Sequence, residues 1–293
     1  ILYLFIQGKL SKKVSILALF ALLASDLLGI SNRYIDRDLF VLPRQKSQPF
    51  LSQASDRAIL KDSSRYRVFE PNLQLSGART AYFHNAIGGY HGAKPRRFEE
   101  LYEYFSENQI EGVLDMLNVK YILFEKEKEQ KFIQNPNAMG NAWFVDSLFV
   151  AVDADGVLNK MKSLNFENSA IVLASEAPEN IKLTFSADSL SRIELTKAHP
   201  TRLEYKFSSS EEQMIVFSEM YYPHGWKSFI DGVEVEHFPV NYVLRGLNVP
   251  KGNHDIVFSF EPSVIKTGTS IRLLALVLFL GVILGALFKK YKR

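Results

Sequence analysis

Cysteine is absent from this chain of 293 residues. A disulfide framework, a thiolate zinc site and a cysteine nucleophile are therefore excluded. An excess of either charge is also lacking, because 35 Lys and Arg oppose 32 Asp and Glu, for a net charge of +3. That balance does not favour nucleic acid, and we predict no nucleic-acid partner. A mean hydropathy of -0.05 excludes a chain that is embedded in a membrane throughout.

Long apolar runs are few, but one lies near each end of the chain. Residues 14–30 contain a single charged side chain, Asp26, and residues 273–288 contain none. Both runs are close to the roughly 17 to 25 residues that cross a bilayer, so we predict two transmembrane helices, with buried core helices as the alternative. An ionisable group within a span is costly, which makes Asp26 a candidate substrate-binding residue. A carboxylate that reaches the membrane surface is the alternative for Asp26.

Basic residues flank the end of each run that is nearer to a chain terminus. If each run crosses the membrane once, these basic residues lie on the same side of it. They are Lys9, Lys12 and Lys13 before the first run, and Lys289, Lys290, Lys292 and Arg293 after the second. The positive-inside rule makes that side cytoplasmic, so residues from about 31 to 269 are predicted to lie outside the cytoplasm. We interpret residues 1–6 as the end of an earlier span and expect a fragment of a multi-pass protein.

The predicted fold class is a membrane-anchored α+β protein, with transmembrane helices flanking an extracytoplasmic mixed α/β segment and a C-terminal antiparallel β-sandwich. Short alternating runs after residue 177 indicate the sandwich, and Asp231-Gly232 is a strong two-residue hairpin signal. We expect strands at 142–150, 181–185 and 233–238. The predicted regions are 1–30 (the end of one span, a short cytoplasmic loop and a full span), 31–63 (linker), 64–175 (α/β), 176–267 (sandwich) and 268–293 (C-terminal span and basic tail).

The loop at residues 82–92 is rich in aromatic residues, histidine and glycine. Sugars stack their CH faces on rings while their hydroxyl groups need fixed polar partners, so this loop is a candidate sugar-binding site. Its candidate residues are Tyr82, His84, Asn85, Tyr90 and His91. The two histidines would also suit metal binding or acid–base chemistry, with simple hydrogen bonding as the alternative. No carboxylate stands at a zinc spacing from them, and we predict neither a metal site nor a cofactor.

Two other motifs have a functional and a structural explanation. Asp153-Ala-Asp155 has the spacing with which nucleotide-sugar transferases hold a divalent metal, but neither a Rossmann glycine pattern nor a Walker lysine accompanies it. We interpret it as the cap of a helix at 155–164, with Asp155 as the capping residue. Ser218–Trp226 indicates a strand that ends in an aromatic turn, which packing between sheets explains about as well as ligand contact.

Seven motifs follow one another along the chain: Leu117–Ile122, Asn135-Pro136, Gly140–Val145, Ser218–Trp226, Ile230–Gly232, Asn241 with Arg245, and Val249–His254. Their order and spacing resemble the C-terminal part of the bacterial YfhO-type membrane protein family. The resemblance covers most of residues 14–288. His224 departs from the family pattern, which usually runs Pro-Gly-Trp here, so any fine role for that turn is in doubt.

The resemblance implies a multi-pass protein of the bacterial cytoplasmic membrane, similar to C-type glycosyltransferases that modify cell-envelope polymers. The implied partners are the lipid bilayer, a polyprenyl-phosphate sugar donor and an envelope polymer as acceptor. Catalytic carboxylates of such enzymes lie in an early outer loop, which we expect upstream of this sequence, so no catalytic residue is assigned. The alternative is a membrane-tethered binding or scaffold module for envelope components, without activity. A third class, a soluble metallohydrolase, lacks the ligand cluster that it needs.

Overall fold

The chain forms two compact units, Ile1–Leu51 and Ser52–Arg293, in a computed structural model that describes residues 1–35, 40, 42–106, 110–127, 129–186 and 188–291. The first unit contains helices α1 (Leu2–Ile6), α2 (Lys12–Tyr34) and α3 (Pro43–Ser47). Ser11 caps α2, because its hydroxyl group accepts a hydrogen bond from the N–H of Val14. Helix α2 is long and apolar enough to cross a membrane.

The second unit combines helices with sheets, which confirms the α+β class. Its helices are α4 (Ala54–Ile59), α5 (Ala78–Phe83), α6 (Arg96–Phe105), α7 (Ile110–Met116), α8 (Ala154–Met161) and α9 (Ser263–Tyr291). Its strands are β1 (Arg67–Phe69), β2 (Val119–Lys126), β3 (Glu129–Gln134), β4 (Ala142–Val145), β5 (Ser147–Ala151), β6 (Ser169–Leu173), β7 (Arg192–His199), β8 (Arg202–Ser209), β9 (Gln213–Met220), β10 (Trp226–Ile230), β11 (Val233–Val235), β12 (Phe238–Val240), β13 (Leu244–Val249) and β14 (Gly252–Phe260). Helix α9 is the second helix that could cross a membrane by length and composition.

Two antiparallel sheets share one hydrophobic cluster, here called the two-sheet core. Their strand orders are β11-β10-β14-β8-β7 and β12-β13-β9-β4. Three rings meet edge to face in this core, with Phe217 4.9 Å from Tyr205 and 4.8 Å from Phe258 between ring centroids. Such pairs add about 0.5 to 1.5 kcal/mol to the burial of the rings. Smaller sheets, β1-β2-β3 and β5-β6, contain the parallel pairs β1–β2 and β5–β6.

Strand β9 belongs to two hydrophobic clusters at once. Ile215 and Phe217 lie in the two-sheet core, while Met214 and Val216 pack into the cluster that contains the buried face of α6. Successive side chains of a strand point to opposite faces, so a strand covered on both faces needs an apolar residue at every position. The uninterrupted run of residues 214–217 meets that need.

Helix α6 carries its apolar residues on one face. Phe98, Leu101 and Phe105 are spaced three and four residues apart and are buried. Its opposite face leaves Arg96 and Glu100 toward solvent, where they form an ion pair. The helix thus places a polar surface beside the ends of β9 and β13.

Five local predictions can be compared directly with these elements. The hairpin is confirmed, because Ile230 pairs with Val233 across Asp231 and Gly232, whose φ angles are 50° and 82°. The single strand at 142–150 is wrong: β4 pairs with β9, whereas β5 pairs with β6, so the chain changes sheets between them. The strand at 233–238 divides in the same way into β11 and β12, which belong to different sheets.

The other two corrections concern a strand and a helix cap. Residues 181–185 contribute an isolated bridge from Thr184 to Ser147 instead of a strand, because their pairing with β5 does not continue. Asp153, not Asp155, caps α8: its carboxylate accepts a hydrogen bond of 2.7 Å from the N–H of Gly156. Asp155 lies in the first turn of α8, where its negative charge favours the helix dipole.

Candidate ligand-binding site

Five of the six predicted site residues are exposed, and one of them, Asn85, is described below with the cavity that it lines. Tyr82 lies in the last turn of α5 and is 49% exposed, and Tyr90 is 84% exposed with the exposed His91 beside it. Asp26 is an exposed residue of α2 in the first unit. Ligand roles for these residues stay predictions.

His84 is buried and paired inside the protein. Its Nε2 atom lies 3.0 Å from Oδ1 of Asp56, and Arg79 pairs with the same carboxylate. Burial would raise the pKa of Asp56, but the N–H of Gln53, His84 and Arg79 outweigh it and hold that pKa below its usual value. The His84 ring therefore links α4 to the end of α5, and its Nε2 is occupied by Asp56.

An open cleft with aromatic walls lies between the start of α6 and the segment after β9. It has a volume of about 410 Å³ and is here called the aromatic cleft. Its principal lining residues are Pro95, Arg97, Glu176, Tyr221, Tyr222 and Tyr242. Tyrosine rings beside a charged pair give the apolar faces and polar partners that a sugar ring requires.

The polar side of the aromatic cleft is a two-point ion pair. Arg97 donates to both oxygens of Glu176, over 2.8 and 2.9 Å, and its guanidinium lies 5.5 Å from the centre of the Tyr242 ring. The Glu176 hydrogen bonds raise the pKa of Arg97. Burial and the hydrogen bond that Tyr242 donates to Glu100 raise the pKa of Tyr242 to about 12. Arg97 therefore stays positively charged and Tyr242 stays neutral across the neutral pH range.

Tyr242 occupies a backbone conformation that is rare for a bulky residue. Its φ angle is 70°, and Asn241 before it has a φ angle of 47°. The turn is held in place, because Ile171 donates its N–H to the Asn241 side chain and Asn241 donates its N–H to the Ile171 carbonyl. Strain of this kind concentrates at functional sites, and here it presents the Tyr242 ring to the aromatic cleft.

The segment Tyr221–Trp226, called the aromatic turn, joins β9 to β10 and lies against the start of α9. Glu261 donates its N–H to the carbonyl of Gly225 over 2.6 Å, and the rings of Trp226 and Phe260 lie 5.3 Å apart. Tyr222, within this turn, is 44% exposed. The turn that lines the aromatic cleft is thus joined to the last residues before α9.

Two arginines, Arg65 and Arg67, form ion pairs with the largely buried carboxylate of Glu219, and the charge of a third, Arg245, also acts on it. These three arginines are called the arginine cluster. Arg65 donates to one oxygen of Glu219 from Nε and Nη2, and Arg67 donates to the other from Nη2 over 3.2 Å. Arg245 is 2% exposed, stacks 4.1 Å from the Trp226 ring centre, and donates from Nε to the carbonyl of Met220.

A cavity of about 190 Å³ adjoins the arginine cluster, and it brings one of the predicted loop residues to that cluster. Asn85 lines it together with Arg65, Arg67, Asn118, Asn141 and Glu219. Asn118, with a φ angle of 56°, donates to the carbonyl of Arg65 and to the side chain of Asn141. The cavity is therefore walled by guanidinium and amide groups.

His237 is a buried imidazole near the aromatic turn. Its Nδ1 lies 3.0 Å from the Ser228 hydroxyl oxygen, its ring meets those of Tyr221 and Phe258, and its Nε2 has no hydrogen-bond partner in the described structure. Burial, assisted by the charge of Arg245, lowers the pKa of His237 to about 4. The ring is therefore neutral at physiological pH.

Sequence reasoning did not identify Arg65, Arg67, Arg97, Glu176 or Tyr242 as site residues. Their partners are distant along the chain: 154 residues separate Arg65 from Glu219, and 142 separate Tyr242 from Glu100. One signal was available, because Ser218–Trp226 concentrates aromatic residues next to an acid. Among the described residues, no group of three or more His, Asp or Glu side chains is placed to hold a metal ion.

The fold and site define an α+β protein with two helices that could cross a membrane and a polar, aromatic-lined surface beside one of them. Residues 156–272 match the family described as "Bacterial membrane protein YfhO". The match includes the aromatic turn, Tyr242 and Arg245, and it confirms the resemblance to the YfhO-type bacterial membrane protein family. It also supports association with a lipid bilayer. No curated protein and no solved structure matches the chain.

Proposed function

We propose that the part of the second unit before α9 is the extracytoplasmic, acceptor-binding part of a membrane glycosyltransferase of the YfhO type. The observation that carries the proposal is the aromatic cleft, whose three tyrosines and Arg97–Glu176 pair suit a sugar ring. The donor is a polyprenyl-phosphate sugar and the acceptor an envelope polymer, as the family resemblance implies. We also propose that the sheets of the two-sheet core form a β-sandwich.

The charge pattern of the chain supports the proposed orientation. Basic residues flank α2 at its start and α9 at its end, which places both clusters in the cytoplasm of a bacterial cell under the positive-inside rule. In this arrangement residues from about 31 to 269 lie outside, in a multi-pass parent protein of the cytoplasmic membrane. A donor whose lipid tail stays in the bilayer presents its sugar at that outer surface.

The link between the aromatic turn and α9 supports a position of the cleft near the membrane. Helix α9 begins at Ser263, and the uncharged run begins at Leu273, so about 15 Å of helix separates the turn from the hydrocarbon. Headgroup layers add a few ångströms on each side of a hydrocarbon core of about 30 Å. The aromatic cleft would then open close to the headgroups, where a lipid-linked sugar is delivered.

The proposal is tested with the full-length parent protein in its own host. A chromosomal Tyr222→Ala substitution should lower the sugar content of purified envelope polymers, because a lost ring contact of about 0.5 to 1.5 kcal/mol weakens acceptor binding roughly two- to tenfold. Tyr222→Phe is the matched control, since it keeps the ring and removes only the hydroxyl group. Sugar content is measured by acid release and chromatography, with protein level followed by immunoblot.

Unchanged glycosylation in Tyr222→Ala at normal protein level would refute the assignment of the aromatic cleft. The same assay tests the predicted loop with a Tyr82→Ala/Tyr90→Ala double variant, whose side chains are exposed. His84→Ala is unsuitable there, because removing the buried partner of Asp56 would also destabilise the fold.

A further inference from the structure

The arginine cluster carries more positive charge than the protein neutralises. Arg65 and Arg67 form ion pairs with the single carboxylate of Glu219, and the charge of Arg245 also acts on it, which leaves an excess of two positive charges. Arg245 is almost completely buried, and Glu219 is only 16% exposed. Unneutralised charge is costly where water is excluded, so an excess of this kind indicates a place for an anion.

Proton transfer does not remove the excess. Burial opposes ionisation of Glu219, but the charges of Arg67, Arg65 and Arg245 more than offset burial and lower its pKa. Burial lowers the pKa of Arg245 to about 10, which still leaves it protonated at neutral pH. Glu219 therefore stays negative and Arg245 stays positive over the physiological range.

Hydrogen-bond donors remain unused around the cavity. Nη1 of Arg245, which belongs to the arginine cluster but does not line the cavity, is buried without a partner in the described residues. Arg65 uses Nε and Nη2 for Glu219, which leaves Nη1 available, and the exposed Asn85 side chain makes no hydrogen bond within the described part of the chain. Guanidinium forks and a primary amide are the donors that proteins direct at carboxylates and phosphates.

We propose that the cavity beside the arginine cluster binds an oxyanion, a phosphoryl or carboxylate group, with Arg65 and Asn85 as direct ligands. Arg67 and Arg245 supply the surrounding positive charge. The volume of about 190 Å³ accommodates one such group with room for the rest of the molecule to extend outward. This inference goes beyond the proposed function, because the charge excess exists whatever reaction the parent protein performs.

The test uses the full chain in phosphatidylcholine nanodiscs, with inorganic phosphate as the probe. Phosphate should raise the midpoint of thermal unfolding by a few degrees and in a saturable way, compared with chloride at equal ionic strength, because a ligand of the folded state stabilises it. Asn85→Ala should lose this rise while folding normally, since its side chain is exposed. Arg65→Gln should lose it as well.

The matched control is Lys206→Gln, which removes one positive charge from an exposed pair with Asp255 on β14. Lys206→Gln should keep the full phosphate effect. Equal midpoints in phosphate and chloride for the unaltered chain, together with no rise in the phosphatidylglycerol nanodiscs described below, would overturn the proposal. An equal loss in Lys206→Gln and Arg65→Gln would also overturn it, because the effect would then be general screening.

A second arm identifies the source of the oxyanion. Nanodiscs that contain phosphatidylglycerol should raise the midpoint in an Asn85-dependent way if a lipid headgroup occupies the cavity. A rise with inorganic phosphate alone indicates a soluble group. Either result supports the oxyanion site, and the absence of both refutes it. Envelope glycosylation is not part of the readout, so failure here leaves the proposed function standing.

Discussion

The buried imidazole of His237 makes the stability of the second unit depend on pH. Its pKa is about 4 in the folded protein and about 6.5 in an unfolded chain. Between these values the unfolded state binds one more proton than the folded state, so stability falls as the pH is lowered. We expect a loss of about 1.4 kcal/mol per pH unit between pH 6 and pH 4.5.

Denaturant unfolding of the full chain in nanodiscs at several pH values measures this dependence. His237→Gln should reduce the slope of the unfolding free energy against pH in that interval, because glutamine does not titrate. The variant should also be less stable than the unaltered chain at pH 7. Other groups with lowered pKa values, such as Asp56, remain in both proteins, so the difference between the two slopes isolates the imidazole. Parallel slopes in the two proteins would show that His237 is not responsible.

At the level of single residues, the sequence predicted a polar surface at the loop of residues 82–92 but did not predict which side chains of that loop contribute to it. Asn85 was predicted as a ligand residue and does line a polar cavity, while His84, its neighbour, is buried against Asp56. Alternation in a loop does not reveal which side chain turns inward. That choice depends on α4, whose Asp56 comes 28 residues earlier.

The junction of the aromatic turn with β14 requires glycine at position 225. Its φ angle is 107°, and a Cβ atom there would lie 2.9 Å from Phe260 Cε2 and 2.9 Å from Pro262 Cβ. Gly225→Ala should therefore lower the free energy of unfolding by about 1 to 3 kcal/mol, from backbone strain together with the steric overlap.

Gly232→Ala is the matched control for this substitution. Gly232 also has a positive φ angle, 82°, but an added Cβ would meet no atom within 4 Å. Its cost is backbone strain alone, so Gly225→Ala should be the more destabilising of the two in thermal unfolding of the full chain. Equal midpoints for both variants would show that Gly225 is not tightly packed against Phe260 and Pro262.

Elements that depend on local pattern were predicted well, and those that depend on distant partners were not. Strand β10 and the hairpin after it follow from alternation and the Asp-Gly pair. Strand β4 pairs with β9, which lies about 70 residues later, so no local signal separates it from β5. The coverage of the apolar run at 214–217 on two faces follows only from the packing of α6 and the two-sheet core.

On the scale of the whole molecule, a short connection joins strand β14 of the second unit to α9, a helix that could span a membrane. Strand β14 ends at Phe260 and α9 begins at Ser263, with Glu261 bonded to the aromatic turn between them. A short, hydrogen-bonded link of this kind does not act as a flexible spacer. The end of the sheets at Trp226 and Phe260 must therefore stay close to the start of α9.

This connection predicts which end of the second unit lies near lipid. The chain has no cysteine, so a single introduced thiol can be labelled without background. His224→Cys places a fluorophore on the exposed tip of the aromatic turn. Lys251→Cys places it at the opposite end of β14, about 26 Å away along the strand, since eight residues separate Gly252 from Phe260.

In nanodiscs that contain brominated lipids, the label at position 224 should be quenched much more strongly than the label at 251. Aromatic residues favour the membrane interface, so the exposed Tyr222 beside the label should help hold the turn there. Replacing Tyr222 with serine in the His224→Cys protein should then reduce the quenching without abolishing it, because α9 still anchors the unit. If both positions were quenched equally, α9 would lie along the membrane surface or outside it, and the proposed place of the aromatic cleft beside the headgroups would be lost.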